Sequence, residues 1–152
     1  MAEPSTHEDD RPVSDPPTPP PADVMAALPA VPESASVVRQ RLRRWMDDLG
    51  WPADAREDVV MAVNEAVANV IEHAYPPAAP GQVRVYGWAV TRNDGRTAVV
   101  TVTDDGRWRP ERRDRANRGR GLLLMDVLMA QLMIEPTDRG TSVIMVSPAA
   151  GP

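Results

Sequence analysis

The sequence predicts an α+β fold in which helices pack on one face of a mixed, largely antiparallel sheet. Three observations support this prediction. The chain has 152 residues, which is enough for one domain with a real core and hardly enough for two. Segments with helical periodicity alternate with strand-like runs. Two pairs of those runs flank short polar turns, a pattern typical of antiparallel hairpins.

Proline and charge separate an N-terminal tail from the folded body. Nine of the 17 prolines lie in the first 32 residues, and residues 1–23 hold six acids against one arginine, a net charge of −5. Such a segment cannot bury enough apolar surface to fold. We therefore expect a disordered, acidic, proline-rich tail over residues 1–23, a folded domain over 24–147 and a C-terminal tail over 148–152.

Composition excludes several classes of site. All 17 basic residues are arginine, and the chain has no lysine and no cysteine. A P-loop and lysine-dependent kinase chemistry are therefore excluded, as are disulfides, thiolate zinc sites and cysteine nucleophiles. Outside the tail 16 acids balance 16 arginines, which argues against direct nucleic-acid binding. Without a signal peptide or an 18-residue apolar run, we expect a cytoplasmic protein with no membrane contact.

The first elements are a strand and a helix. The short apolar run over residues 24–31 predicts an edge strand. Ser34 or Ser36 is expected to cap the first helix, which carries an apolar stripe to Leu49 and ends at Gly50. We expect Trp45 and Trp51 to be structural, because buried aromatic residues usually are.

The central helix is expected to run from Asp54 to about Tyr75, where two prolines stop it. Its valines recur at helical spacing, so one side should pack on the sheet. Glu65 and Asn69 lie four residues apart on the other side, where both can act on one ligand. Taken alone, such a pair is more often explained by an ordinary solvated helix face. His73 is expected to be structural.

The remaining elements follow in an order that completes the helix-on-sheet arrangement. They are a hairpin of residues 82–91 and 96–103 around a turn at 92–95, an apolar helix over 122–129, and a hairpin of 131–135 and 141–146 around 137–140. The apolar helix is hydrophobic nearly all round and is therefore expected to be buried.

Three further motifs carry candidate binding residues. Asp104 and Gly106 follow an apolar strand, where a carboxylate can accept a hydrogen bond from an exocyclic amine and a glycine lets a flat ring approach. A plain turn is the competing explanation. Gly119, Arg120, Gly121 and Leu122 open a helix, whose free N–H groups and dipole suit a phosphate. Just before the last strand, Gly140 allows another group to approach the backbone closely, and Thr141 supplies a hydroxyl.

An arginine-rich segment precedes this helix. Residues 107–120 carry seven arginines against two acids, a net charge of +5. Such a segment is suited to meet phosphates or an acidic partner.

In order and spacing, the four motifs resemble the N, G1, G2 and G3 boxes of the GHKL ATPases, which have the Bergerat or histidine-kinase-like fold. The bacterial anti-sigma-factor serine/threonine kinases have sequences similar to three segments of this chain, NEAVANVIEHAY, VTDDGRWRP and RGRGLLLM. The resemblance covers residues 24–147. Trp108 departs from it, because many members of the superfamily have a second glycine there.

The resemblance implies the role of each residue. Asn69 would hold a Mg²⁺ that bridges the phosphates of ATP, and Glu65 would be the general base. Asp104 would bind the adenine amine, with Gly106 beneath the ring and Thr141 supporting the carboxylate.

For the phosphates, the resemblance implies backbone N–H donors in the helix-opening motif. These donors would come from Gly119, Gly121 and Leu122, with Arg120 beside them. Residues 107–118 would form a mobile lid.

The resemblance also implies a function. The chain would be an ATP- and Mg²⁺-dependent protein serine/threonine kinase that binds a sigma factor in one state and phosphorylates a STAS-domain anti-anti-sigma protein in another. The resemblance also implies a homodimer. One alternative is a nucleotide-dependent binding module that sequesters a sigma factor or other regulator without kinase activity. A detached histidine-kinase ATPase domain is less well supported, because its phospho-acceptor would have to come from another chain.

Overall fold

A computed structural model describes residues 23–107 and 120–151 of the chain. Its elements confirm the predicted order of strand, two helices, hairpin, helix and hairpin. They are β1 (Val24–Pro29), α1 (Pro32–Asp48), α2 (Ala53–Asn69) with a π-helical turn (Val70–Ala74), β2 (Gln82–Arg92), β3 (Gly95–Asp104), α3 (Arg120–Leu128), β4 (Gln131–Thr137) and β5 (Gly140–Val146). The tail was predicted over residues 1–23, of which 1–22 lie outside the described residues, as do residues 108–118 of the predicted lid.

The five strands form one sheet in the order β1, β2, β3, β5, β4. We expected a mixed, largely antiparallel sheet, and all four pairings are antiparallel. The predicted edge position of the first strand is confirmed. Both predicted hairpins form, because the strands on either side of each short turn pair with each other.

The core lies between one face of the sheet and the helices. Alternate residues of β2 and β3 project towards the helices, as the two-residue period of a strand requires. The valines of α2 meet them, so this helix is the most deeply packed of the three. The core includes Val59, Val63, Val67, Val83, Val85, Val100 and Val102, each at most 2% exposed.

The start of α1 differs from our expectation. The helix begins at Pro32 with Val31 as its N-cap, and no side chain bonds the free N–H groups. Proline suits the first helical turn because its φ is already helical and its missing N–H is not needed there. The predicted cap at Ser34 or Ser36 is therefore wrong. The predicted end is confirmed at Gly50, which has a φ of 67°.

Several polar contacts attach α1 to its surroundings, among them those of Arg43 and Arg96. Arg43 donates two hydrogen bonds of 3.0 Å to the Glu57 carboxylate on α2. Arg96 on β3 donates to the carbonyl of Leu49 at 2.6 Å, and its guanidinium lies 5.1 Å from the centre of the Trp51 ring. Both Trp45 and Trp51 are buried, which confirms their predicted structural role.

The third helix is less buried than its sequence suggested. Met125 is fully buried, but Leu123 is 63% and Val127 is 72% exposed. The nine-residue helix packs against α2 with one side, and within the described part of the chain nothing covers the other. Our expectation of burial all round is therefore wrong, because a helix on the outside of a two-layer fold has only one neighbouring layer.

Part of the predicted C-terminal tail over residues 148–152 packs on the domain. Ala150 is buried and exchanges backbone hydrogen bonds of 2.8 and 3.0 Å with Arg96. The Ser147 hydroxyl accepts the N–H of Ala98 at 2.9 Å. Because β5 pairs with β3 only from Val99 onward, the start of β3 needs other partners, and this segment supplies them.

In the described part of the chain, no helix is long and apolar enough to cross a membrane.

Candidate functional site

The polar pair predicted on the central helix lies on α2. Glu65 and Asn69 are both half-buried, whereas Glu72, one turn further along, is exposed. Asn69 is the last α-helical residue before the π-helical turn. The pair is thus partly enclosed by the fold, which a fully solvated helix face would not be.

The start of α3 encloses the first member of this pair. A Cβ built on Gly121 would lie 2.8 Å from Oε2 of Glu65. Two motifs far apart in sequence are therefore adjacent in space, and a side chain at position 121 would have to displace the Glu65 carboxylate. Arg120 is exposed and Leu122 is half-buried in the same helix turn, whereas Gly119 lies outside the described residues.

The carboxylate predicted to bind adenine is at the end of β3. Asp104 is 2% exposed, and its Oδ1 accepts the N–H of Gly106 at 2.8 Å. Burial of a carboxylate costs free energy unless hydrogen bonds compensate for the lost water. The hydrogen bond from Gly106 is one such compensation, and the carboxylate lies at the end of a strand beside a loop, where its predicted role requires it.

Gly106 lies against the end of the α2 segment. A Cβ at this position would be 2.2 Å from the carbonyl oxygen of Ala74, which accepts the N–H of Arg107 at 2.8 Å. The glycine is therefore needed for the contact between loop and helix. We expected it to leave room for a flat ring, but Ala74 fills the side on which a side chain would project. Its place beneath an adenine ring stays a proposal.

The last motif closes the same end of the site. Gly140 has a φ of 150°, and a Cβ there would be 1.8 Å from the carbonyl oxygen of Asp104. Thr141 is 2% exposed and stands opposite Asp104 in the pairing of β3 with β5. The register thus brings the predicted hydroxyl and carboxylate residues side by side.

Three polar residues that the sequence reasoning did not select hold the loop after β3. The Tyr75 hydroxyl donates to the carbonyl of Gln82 at 2.6 Å and accepts the N–H of Asp105 at 2.9 Å. Arg84 donates two hydrogen bonds of 2.8 Å to the Asp105 carboxylate. The available signal was the pair of adjacent aspartates. Only the first of them had a predicted role, so the second needed another partner.

The electrostatics of these residues follow from their contacts. Hydrogen bonds from Arg84 hold the pKa of the Asp105 carboxyl below its ordinary value. Burial raises the pKa of the Tyr75 hydroxyl, although its hydrogen bond from the Asp105 backbone acts in the opposite direction. Both groups therefore keep, at neutral pH, the protonation state that their hydrogen bonds require.

The described residues contain no group of three or more histidine, cysteine or acidic side chains that could hold a metal ion. A dedicated protein cage for a metal is thus absent from residues 23–107 and 120–151. Mg²⁺ commonly takes one or two protein oxygens and completes its shell with phosphate oxygens and water. The single carboxamide of Asn69, at the half-buried end of α2, fits that mode of binding.

The candidate site extends along the C-terminal part of α2. One end lies at Glu65 beside the start of α3, and the other lies at Ala74 beside the loop after β3. The last five residues of this stretch, Val70–Ala74, form the π-helical turn.

Comparison with known proteins agrees with this geometry. Residues 28–147 match the family described as histidine kinase-like ATPase domain. The serine-protein kinase RsbW of Bacillus licheniformis is 30% identical over 129 residues, which cover 77% of this chain and 79% of that protein. The serine-protein kinase RsbW of Bacillus velezensis is 28% identical over 130 residues, which cover 78% and 80%.

A solved structure supports the fold. The crystal structure of the RsbU and RsbW domains of a Mycobacterium tuberculosis protein matches with a TM-score of 0.64 at 24% identity. The match covers 85% of this chain, which spans a third of the length of that structure. The resemblance inferred from the four motifs is thereby confirmed, and the chain belongs to the histidine-kinase-like ATPase domain family, with serine-protein kinases among its relatives.

Proposed function

We propose that this protein is an ATP- and Mg²⁺-dependent protein serine/threonine kinase of the cytoplasm. In this proposal it phosphorylates a STAS-domain anti-anti-sigma protein and binds a sigma factor in a partner-switching circuit. The observation that carries the proposal is the close approach of Glu65 to Gly121. The start of a helix is suited to a phosphate, and a carboxylate beside it could accept the proton of an attacking hydroxyl. Relatives named as serine-protein kinases over most of both chains support it.

At the base end, Asp104 accepts a hydrogen bond from the exocyclic amine of adenine. A carboxylate has about four lone-pair positions, so it can bind this amine in addition to the N–H of Gly106. Burial of Asp104 excludes water that would compete for the same oxygen atoms. Thr141, its neighbour across the strand pair, supports the carboxylate.

At the phosphate end, Asn69 offers its carboxamide oxygen to Mg²⁺. When bound, the ion would neutralise charge on the transferred group. The backbone N–H groups of Gly121 and Leu122 meet the phosphate oxygens, with Arg120 beside them and Gly119 just before the described helix. These groups orient the γ-phosphate towards Glu65.

Glu65 accepts the proton of the acceptor hydroxyl. The hydroxyl oxygen of the partner serine or threonine forms a bond to the γ-phosphorus, while the bond from that phosphorus to the bridging oxygen of ADP breaks. The proton moves to the Glu65 carboxylate, and ADP leaves with the bridging oxygen. General-base catalysis of this kind contributes about 10²–10⁴-fold to the rate.

A phosphotransfer assay tests this proposal. The purified full chain is incubated with labelled ATP, Mg²⁺ and a panel of STAS-domain proteins. We expect transfer to a serine or threonine, and a loss of about 10²-fold or more in Glu65→Gln. Glu72→Gln is the matched control, because Glu72 is an exposed carboxylate on the same helical segment. Absence of transfer to every panel member, or undiminished transfer by Glu65→Gln, would refute the kinase assignment.

A second candidate is a nucleotide-dependent binding module that sequesters a sigma factor without kinase activity. The exposed apolar side of α3 favours it, because Leu123 and Val127 lie one helical turn apart in solvent. Under this alternative, the protein binds a sigma factor in the presence of ATP, and Glu65→Gln leaves that affinity unchanged while no STAS protein is phosphorylated.

A further inference from the structure

Two adjacent aspartates, Asp104 as the last residue of β3 and Asp105 directly after it, face opposite sides of the sheet. Successive residues along a strand alternate between its faces. Asp104 is buried on the helix side, whereas the Asp105 carboxylate bonds Arg84, whose strand neighbours Val83 and Val85 are the residues buried against the helices. The doublet therefore combines two different tasks, one in the candidate base site and one on the outer side of the loop.

The position of the first carboxylate depends on the loop that follows it. Oδ1 of Asp104 is bonded to the N–H of Gly106, so the side chain turns with the backbone of these residues. The Tyr75 hydroxyl holds the N–H of the intervening Asp105, and Arg84 holds its side chain with two bonds. Movement of the loop would thus require the loss of at least three hydrogen bonds.

The tyrosine is itself rigidly placed. Its ring covers Gly81, where a built Cβ would lie 2.2 Å from the ring carbon Cε1. Its hydroxyl also donates to the carbonyl of Gln82 at 2.6 Å. Tyr75 directly follows the π-helical turn that extends α2, the helix of Glu65 and Asn69. The loop of the base end is therefore bonded to the frame that carries the phosphate end.

We propose that Tyr75 and Arg84 are positioning residues for base recognition: by holding Asp105, they direct the Asp104 carboxylate at the exocyclic amine of adenine. This inference rests on the proposed function, since it requires an adenine nucleotide in the site. Neither residue touches the nucleotide. Their effect is on the discrimination between purines with and without the amine.

The test measures the affinity of the full chain for ATP and for purine riboside triphosphate, which lacks the amine. We expect the unaltered protein to prefer ATP by about tenfold, the effect of one hydrogen bond in a buried site. Tyr75→Phe keeps the ring on Gly81 but removes the hydroxyl. It should reduce the preference to about threefold or less, by weakening ATP and leaving the analogue within about twofold.

Arg84→Gln should act in the same direction with a smaller effect, because the Arg84 and Asp105 pair is partly exposed. Tyr86→Phe is the matched control, since Tyr86 lies two residues from Arg84 on the same strand, and it should leave the preference unchanged. In Asp104→Ala the preference is absent, and adding Tyr75→Phe should change it no further.

The outcomes separate the two proposals. If Tyr75→Phe lowers the affinity for ATP and for the analogue equally, Tyr75 has a merely structural role and the positioning role is overturned. If Tyr75→Phe is unfolded by thermal denaturation, the same ratio in Arg84→Gln decides. Failure of the unaltered chain to bind either nucleotide would refute the proposed function. Preference for ATP that survives both variants would refute only the positioning role.

Discussion

The two ends of the candidate site differ in how the protein fills them. At the base end, Asp104 and Thr141 are buried, and a Cβ at Gly106 or Gly140 would collide with backbone atoms. At the phosphate end, Glu65 and Asn69 are half-buried, and a Cβ at Gly121 would meet only a flexible carboxylate. The base end is therefore completed by folding, whereas the phosphate end remains adjustable.

This difference has a physical cause. Backbone atoms of paired strands and helix ends cannot move without breaking several hydrogen bonds, but the end of a glutamate side chain can rotate at small cost. Substitutions at the base end should consequently change the stability of the fold. Substitutions at the phosphate end should change activity with little effect on stability.

The largest effect should come from Gly140→Ala. The alanine would have to adopt the positive φ of this position, which is unfavourable for a residue with a side chain, and its Cβ would clash with the carbonyl oxygen of Asp104. We expect the free energy of unfolding to fall by at least about 3 kcal/mol, measured by urea denaturation. Gly50→Ala is the control, because its φ is also positive but nothing lies within 4 Å, so it should cost only about 1 kcal/mol. Equal losses would contradict the steric argument.

Asp104→Ala tests binding at the same end. We expect ATP affinity to fall by about 1–3 kcal/mol, the free energy of a buried hydrogen-bonded group left without its partner. Isothermal titration calorimetry measures the change. Asp126→Ala, at an exposed position on α3, should have no effect. Unchanged ATP affinity in Asp104→Ala would remove this residue from the base site.

Gly121→Ala tests the phosphate end. The added Cβ would displace the Glu65 carboxylate, so we expect kcat for phosphotransfer to fall by about ten- to a hundredfold. Stability should stay the same or rise by up to about 1 kcal/mol, because alanine favours helix more than glycine does. A variant that is strongly destabilised would show that this end is packed as tightly as the base end.

The smallest effect concerns acid stability away from the site. Hydrogen bonds from Arg43 hold the pKa of Glu57 below its ordinary value. A lowered pKa contributes stability above the ordinary value of the unfolded chain, near pH 4.5, and this contribution disappears as the pH falls through the folded value. Glu57→Gln should therefore lower the melting temperature slightly at pH 7 and by less at pH 3. If the two proteins differ in melting temperature by the same amount at both pH values, the ion pair is not the source of the difference.

Several elements could be predicted from sequence because their signals are local. The valine periodicity of α2 and the polar turns of both hairpins depend on residues close together in the chain. Their predicted positions agree with the structure to within a few residues. The predicted N-cap of α1 was wrong because the sequence offers two competing local signals, a proline for the first helical turn and a serine a few residues later.

Other features depend on contacts between distant segments. The exposure of Leu123 and Val127 follows from the absence of a third layer over α3 in the described structure, which no local pattern encodes. Ala150 pairs with Arg96 because β5 is too short to cover the start of β3. The hydrogen bonds of Tyr75 join the end of one helix to a loop 30 residues later. Side chains and backbone groups of these residue types can contact many different partners, and only the packing of the whole fold selects the partner that is found.

The order and spacing of the four motifs by themselves determined the family, the kind of ligand and most candidate site residues, because each motif is a short run whose chemistry depends on its own residues. The tertiary structure decided how those residues meet. It placed Gly121 against Glu65, gave Gly106 a packing role against Ala74, and assigned the second aspartate of the doublet to Arg84. These results depend on distances between segments far apart in sequence, and such distances are set by the packing of the whole core.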